Sequence, residues 1–268
     1  MRAKDIRQKA DEEPITMLTA YDAPTARLLD EAGIDIALVG DSVGNTRLGY
    51  DSTLPVTVDE IRSFTAAVSR VTEDALVVAD MPFLSFGTDE ADAIENCGRM
   101  LKEADADAVK LECGPHTVEL TRRLTRLGIP VQAHLGLTPQ RENETGLYRQ
   151  GTDDASARRI EDLAREHEAA GAFSLVLEHV PANLAGTITE TLSIPTIGIG
   201  AGPECDGQVL VVDEVIGLSE GTAPFSKRFG DVRGETKAAI EKYAEAVEDG
   251  TFPDDEHSHY EEGLDDAY

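Results

Sequence analysis

Short apolar, β-branched runs recur along this 268-residue chain at intervals of roughly 25–40 residues, each followed by a stretch whose apolar residues repeat with helical period. The runs predict strands at Ile15–Tyr21, Asp35–Gly40, Leu76–Ala79, Ala108–Leu111, Pro130–His134, Ser174–Leu177, Pro195–Gly200 and Val209–Val212. Helices are expected between them at Pro24–Ala32, Val58–Val71, Asp89–Ala104, His116–Leu127, Asp153–Ala170 and Ala182–Leu192. Gly33, Gly128 and Gly171 are placed to stop helices in the left-handed conformation. Thr57, Thr88 and Thr152 are placed to start them, with Glu60 completing a capping box on Thr57. Eight alternating βα units favour a (β/α)8 TIM barrel over a doubly wound sheet. Residues 1–248 read as one barrel with an N-terminal extension and a C-terminal helical region at Ser226–Ala246, and residues 249–268 as an acidic, flexible tail. His257 and His259 in that tail read as solvated rather than as ligands.

Several of the runs end in a carboxylate: Asp41, Asp80, Glu112 and Glu178. In a barrel every strand ends at one shared mouth, so these acids converge, and their repulsion must be offset by a cation or a proton. Asp41, Asp80 and Glu112 close neighbouring strands without a His/Cys pair, a donor set suited to a hard divalent ion, Mg2+ first. Caps of helices or partners of arginine are the plainer reading of any one of them. Lys110 lies two residues before Glu112 and so faces the same side of the sheet, as a salt-bridge partner, a holder of a substrate carboxylate, or both. His134 ends the fifth run as a core residue or as a hydrogen-bond partner of substrate. Glu178 ends the sixth, away from the three acids in strand order, which leaves it available as a general base. Gly198–Gly202 follows the seventh, a loop suited to close packing or close approach of substrate, and too short of context to indicate a dinucleotide.

With 24 Lys and Arg against 52 Asp and Glu the formal charge is −28, which excludes nucleic acid and acidic membrane faces as partners and points to small molecules. Cys97, Cys113 and Cys205 form an odd set without metal-type spacing, the usage of a reducing compartment. Met1–Ala10 lacks the apolar core of a secretion signal, and no run reaches membrane-spanning length, so a cytoplasmic protein is expected.

The segments Leu18–Asp22, Leu38–Ser42, Gly49–Val58, Ala79–Phe83, Val109–Glu112, His134–Gln140, Leu177–Pro181 and Ile197–Gly202 resemble, in order and over nearly the whole chain, the 3-methyl-2-oxobutanoate hydroxymethyltransferase (ketopantoate hydroxymethyltransferase) family. The resemblance implies a (β/α)8 barrel that transfers a one-carbon unit from 5,10-methylenetetrahydrofolate to 3-methyl-2-oxobutanoate, giving 2-dehydropantoate for pantothenate and coenzyme A synthesis. It implies Mg2+ on Asp41, Asp80 and Glu112, the keto acid against Asp41, Ser42, Asp80, Lys110 and His134, Glu178 as proton acceptor, and a homo-oligomer. Two places depart from the family pattern, the segment Glu144–Gly151 after strand 5 and His179 after the base, both on the pterin side of the expected pocket. The acidity and the near-absence of lysine resemble proteins of salt-loving archaea. A Mg2+-dependent lyase or mutase of the phosphoenolpyruvate-utilising barrel type is the nearest other enzyme reading, and calls for a reactive cysteine in a mobile loop. An acidic, metal-buffering scaffold would need neither Lys110 nor Glu178.

Overall fold

The computed structural model describes residues 1–261; residues 262–268 of the acidic tail lie outside the described residues. The described residues group into two compact units, Met1–Val212 with Pro224–Ser226, and Asp213–Ala223 with the chain from Lys227 onward.

In the first unit eight parallel strands close into a barrel in sequence order. They are β1 (Ile15–Thr19), β2 (Ile36–Val39), β3 (Leu76–Asp80), β4 (Ala108–Glu112), β5 (Val131–Gly136), β6 (Ser174–Glu178), β7 (Thr196–Ile199) and β8 (Gly207–Leu210). Strands β2, β3 and β4 are buried at every residue, as expected of parallel strands enclosed by helices. Seven strands fall where the apolar runs predict them, while β8 begins two residues earlier than expected. Its first residue, Gly207, lies opposite Ile15, and a Cβ there would stand 2.5 Å from the Ile15 carbonyl oxygen. A glycine forced by close approach carries no apolar signal, which is why the run seemed to start at Val209.

The helices of eight residues or more in this unit are α1 (Ala3–Ala10), α2 (Ala23–Glu31), α3 (Val58–Ser69), α4 (Glu90–Ala104), α5 (Val118–Arg126), α6 (Asp154–Ala169) and α7 (Ala182–Thr191). Thr57 caps α3 through the expected box, its hydroxyl accepting from Glu60 N at 3.2 Å while Glu60 Oε2 accepts from Thr57 N at 2.7 Å. At α4 and α6 the cap is not Thr88 or Thr152 but the next residue. Asp89 accepts from Ala91 N and Asp92 N, and Asp153 from Ala155 N and Ser156 N, a full negative charge suiting a helix N-terminus better than a hydroxyl. Gly33, Gly128 and Gly171 take the left-handed φ that their helix-stopping role requires.

The N-terminal extension is helix α1, which closes the N-terminal end of the barrel. Ile6 is fully buried and packs in one cluster with Ile15, Met17, Ile36, Leu76 and Ile197. Arg7 donates to the carbonyls of Ala172 and Phe173, and Lys9 pairs with Asp35 at 2.6 Å. Acids that precede strands do structural work here: Asp35 accepts from Thr16 N, Asp107 from Val77 N and Asp206 from Thr196 N, each tying one strand to its neighbour.

In the second unit helix α8 runs from Val232 to Glu248, not over Ser226–Ala246. Asp231 sets its start by accepting from Gly234 N, and Phe229 N is already used by the Val215 carbonyl. Within residues 249–261 a short turn at Asp255–His257 is capped by Asp254, and the Phe252 ring lies against those of Tyr243 and His257.

Candidate active site

Strand register assembles the mouth of the barrel. Asp80 on β3 is level with Lys110 on β4, Glu112 on β4 with His134 on β5, and Gly136 on β5 with Glu178 on β6. Because Lys110 and Glu112 are two residues apart, both project to the inner face. Asp41 follows β2 by two residues and turns in, its backbone N donating to Asp80 Oδ2 at 3.3 Å. Gly136 allows β5 and β6 to meet at the rim: at φ 101°, a Cβ on it would fall 2.2 Å from the Glu178 carbonyl oxygen.

The structure thus brings together Asp41, Asp80, Lys110, Glu112 and His134, each at most 6 % exposed. Lys110 Nζ donates to Asp80 Oδ2 at 2.7 Å. Burial pushes the Asp80 carboxyl up, against the pull of Lys110 and with the push of Asp41, to about 7. Glu112 is held well above the usual carboxylate range by burial and by Asp41. Burial lowers Lys110, but Asp80, Asp41 and Glu112 outweigh it and keep the ammonium charged. His134 Nε2 faces Glu178 Oε2 at 3.2 Å; burial and then Lys110 hold the imidazole below its ordinary value, and Nδ1 has no hydrogen-bond partner. Ser42 stands at the rim, where its hydroxyl shares a hydrogen bond of 2.8 Å with the Tyr21 phenol. The Arg47 guanidinium lies 5.4 Å from the centroid of that ring.

Among the described residues no group of three His, Cys, Asp or Glu side chains stands ready to hold a metal ion. The donor chemistry nevertheless suits a hard cation. Asp80 Oδ1 and Glu112 Oε1 are buried without partners, and three buried acids face the single ammonium of Lys110. Oxygen donors with excess negative charge are what Mg2+ takes.

Two residues of this site carry no chemical signal in the sequence. Gln140 donates its side-chain amide to Asp41 Oδ2 at 3.0 Å and to the Met81 carbonyl at 2.9 Å, while its backbone N donates to Glu112 Oε2 at 3.1 Å. One residue from the loop after β5 therefore fixes acids from β2 and β4. Tyr21 is the other, buried at the end of β1 behind Ser42. Both fall inside segments that carry the family resemblance, the one available pointer to them. Cys97 and Cys113 are buried, with thiols pushed up by burial to about 12 and about 11, so neither is poised as a nucleophile.

A model of the family described as ketopantoate hydroxymethyltransferase matches residues 1–255. A 3-methyl-2-oxobutanoate hydroxymethyltransferase of Natronomonas pharaonis is 80 % identical over 268 residues, all of both chains. Those of Haloarcula marismortui and Geobacter metallireducens are 64 % and 52 % identical, over 99 % and 94 % of this chain and 98 % and 95 % of theirs. In three dimensions a phosphoenolpyruvate phosphomutase from Streptomyces platensis aligns with a TM-score of 0.63 at 16 % identity, covering 93 % of this chain and 88 % of that one. A 2,3-dimethylmalate lyase aligns with a TM-score of 0.58 at 18 % identity, over 99 % and 96 %. Likeness at that identity is one of barrel fold.

Proposed function

The chain belongs to the ketopantoate hydroxymethyltransferase family, and from that membership we propose that it transfers a hydroxymethyl group, drawn from 5,10-methylenetetrahydrofolate and water, to 3-methyl-2-oxobutanoate. The product is 2-dehydropantoate, a precursor of pantothenate and coenzyme A. The observation that carries the reading is the adjacency, at one barrel mouth, of a charged lysine, two unpartnered buried carboxylate oxygens and a separate His134–Glu178 pair.

Each side chain has a role that its surroundings support. Lys110 and the Ser42 hydroxyl bind the keto acid's carboxylate, and orientation by them turns the C3–H bond toward Glu178. Water releases the donor's methylene carbon as formaldehyde and leaves tetrahydrofolate; Glu178 takes the C3 proton, and the resulting carbanion equivalent attacks that one-carbon aldehyde, whose oxygen takes up a proton and becomes the hydroxyl of the product. His134, kept neutral by burial and by Lys110, offers one N–H to a substrate oxygen. Asp41, Asp80 and Glu112 would hold Mg2+, with Gln140 orienting Asp41 and Glu112 from behind. When bound, the ion supplies Lewis-acid stabilisation of the negative charge that loss of the proton creates.

The protein acts in the cytoplasm as a homo-oligomer. Free Cys97, Cys113 and Cys205 support a reducing compartment, and the exposed apolar residues Ile240, Tyr243 and Val247 of α8 give a second copy something to cover. Among the described residues no helix is long and apolar enough to cross a membrane. The test is formation of 2-dehydropantoate at high salt, with and without Mg2+ after chelation. Product that forms only with donor and Mg2+ supports the reading; turnover indifferent to chelation, or none with this keto acid, overturns it.

A further inference from the structure

Strand β6 ends at Glu178, and the next residue turns the chain by itself. His179 takes a left-handed φ of 49°, a region that few side chains other than those of Asn, Asp and His enter readily. The peptide joining it to Glu178 is held from both sides: the Glu178 carbonyl accepts from Leu137 N beyond β5, and His179 N donates to the Ile199 carbonyl at the end of β7, each at 2.8 Å. The turn then brings the His179 carbonyl to Gln150 N at 3.0 Å and buries Val180 beside Gly136. The imidazole is anchored as well. Its ring centroid lies 5.3 Å from that of Phe225, and Phe225 fills the space over Gly200, where a Cβ would stand 2.7 Å from its Cδ1.

We infer that His179 is a positioning residue for Glu178, and the inference rests on the function proposed above, in which Glu178 takes the C3 proton. With an extended backbone at 179 the chain would run straight on from β6, taking the His179 carbonyl away from Gln150 and Val180 away from Gly136. A turn completed within one residue is what lets the hydrogen bonds on both sides of the Glu178–His179 peptide persist. Those bonds fix the backbone from which the Glu178 carboxylate reaches to 3.2 Å from His134 Nε2. A left-handed residue with a side chain costs energy and survives where its surroundings over-determine it, commonly beside reacting groups. Here the ring is the determinant. Glycine would take the turn without strain, yet it would give Phe225 nothing to pack against. Phe225, lying on both His179 and Gly200, ties the ends of β6 and β7 together on one side of the base, while His134 on β5 stands on the other. Placement of a proton acceptor to this accuracy matters, because a shift of about 1 Å can cost on the order of a hundredfold in rate.

Exchange of the keto acid's C3 proton with deuterated solvent, followed by NMR, reads the base without the donor. His179→Val, whose β-branched side chain resists the left-handed region, should lower the maximal exchange rate by about 10–100-fold, with keto acid KM and calorimetric Mg2+ affinity as in the wild type. His179→Asn keeps the turn and loses the ring, so it should recover most of that rate and be slowed by only about two- to tenfold, the worth of one ring pair. Phe225→Ala should match it, because both changes remove the same contact. The double variant His179→Asn/Phe225→Ala should then be no slower than either single one, and these three variants decide the question even where His179→Val does not fold. Wild-type exchange in His179→Val or Phe225→Ala, additive losses in the double variant, or a loss shared by keto acid KM and Mg2+ affinity would each overturn the assignment. A wild-type protein that exchanges no C3 proton and forms no product fails earlier, at the proposed function.

Discussion

Glu178 and Gln140 show how differently two side chains at one mouth can contribute. Glu178 sits at the end of β6 against His134, outside the Asp41–Asp80–Lys110–Glu112 cluster, so removing its charge should stop proton transfer without disturbing the cation site. Glu178→Gln is expected to lose C3 proton exchange by at least about a hundredfold, the usual share of a general base, while Mg2+ binding measured by calorimetry stays near wild type. Full exchange in that variant would remove Glu178 from the chemistry. Gln140→Ala should do the reverse. Without its amide Asp41 loses an orienting donor and the Met81 carbonyl a partner, so Mg2+ affinity should fall by about 10–100-fold, as for other residues that orient ligands. An unchanged affinity would show that Asp41 needs no such support. The acids were legible in the sequence because each ends an apolar run, where the change of period marks a strand's end. Gln140 was not, because a glutamine after Pro139 reads as an ordinary loop residue until the fold brings it 99 positions back to Asp41.

At the scale of elements, the pairing of α5 with α6 contains a buried titratable group that the chemistry does not use. His167 on α6 is fully buried and shares a hydrogen bond of 3.1 Å between its Nδ1 and Thr121 Oγ1 on α5. Burial pushes its pKa down from 6.5 to about 4. The unfolded chain therefore binds a proton that the folded one refuses, and stability is retained above pH 6.5 and lost as the pH falls toward 4. The full loss is about 3 kcal/mol. His167→Gln should flatten the dependence of unfolding free energy on pH across that window by about one proton; an unchanged slope would place the proton elsewhere. Elements of this kind were legible wherever apolar period and punctuation agreed, as at α3 with its Thr57–Glu60 box. Helix α1 was not, since it buries only Ile6 among charged residues, and the face it covers exists only once the barrel has closed. Nor was the structural role of Asp35, Asp107 and Asp206, which read as turn acids until neighbouring strands supply the N–H groups they hold.

Over the whole molecule, 52 acids against 24 Lys and Arg cannot be balanced by pairing. Ion pairs such as Arg99–Asp59 and Arg62–Glu103 lie on the surface, where each contributes only about 0–1 kcal/mol. Most of the remaining carboxylates face solvent and repel one another over distances that salt controls. The screening length is about 10 Å at 0.1 M and about 3 Å at 1 M, so raising salt removes most of the repulsion between neighbouring surface charges while leaving the buried Lys110–Asp80 pair nearly untouched. The melting temperature should therefore rise continuously from 0.1 M to molar KCl, where screening rather than specific binding sets the gain, and NaCl should act much as KCl does. A melting temperature flat across that range would mean that the −28 charge is already neutralised by ions bound at specific positions, and a rise complete at millimolar Mg2+ would assign the effect to the barrel mouth instead of the surface.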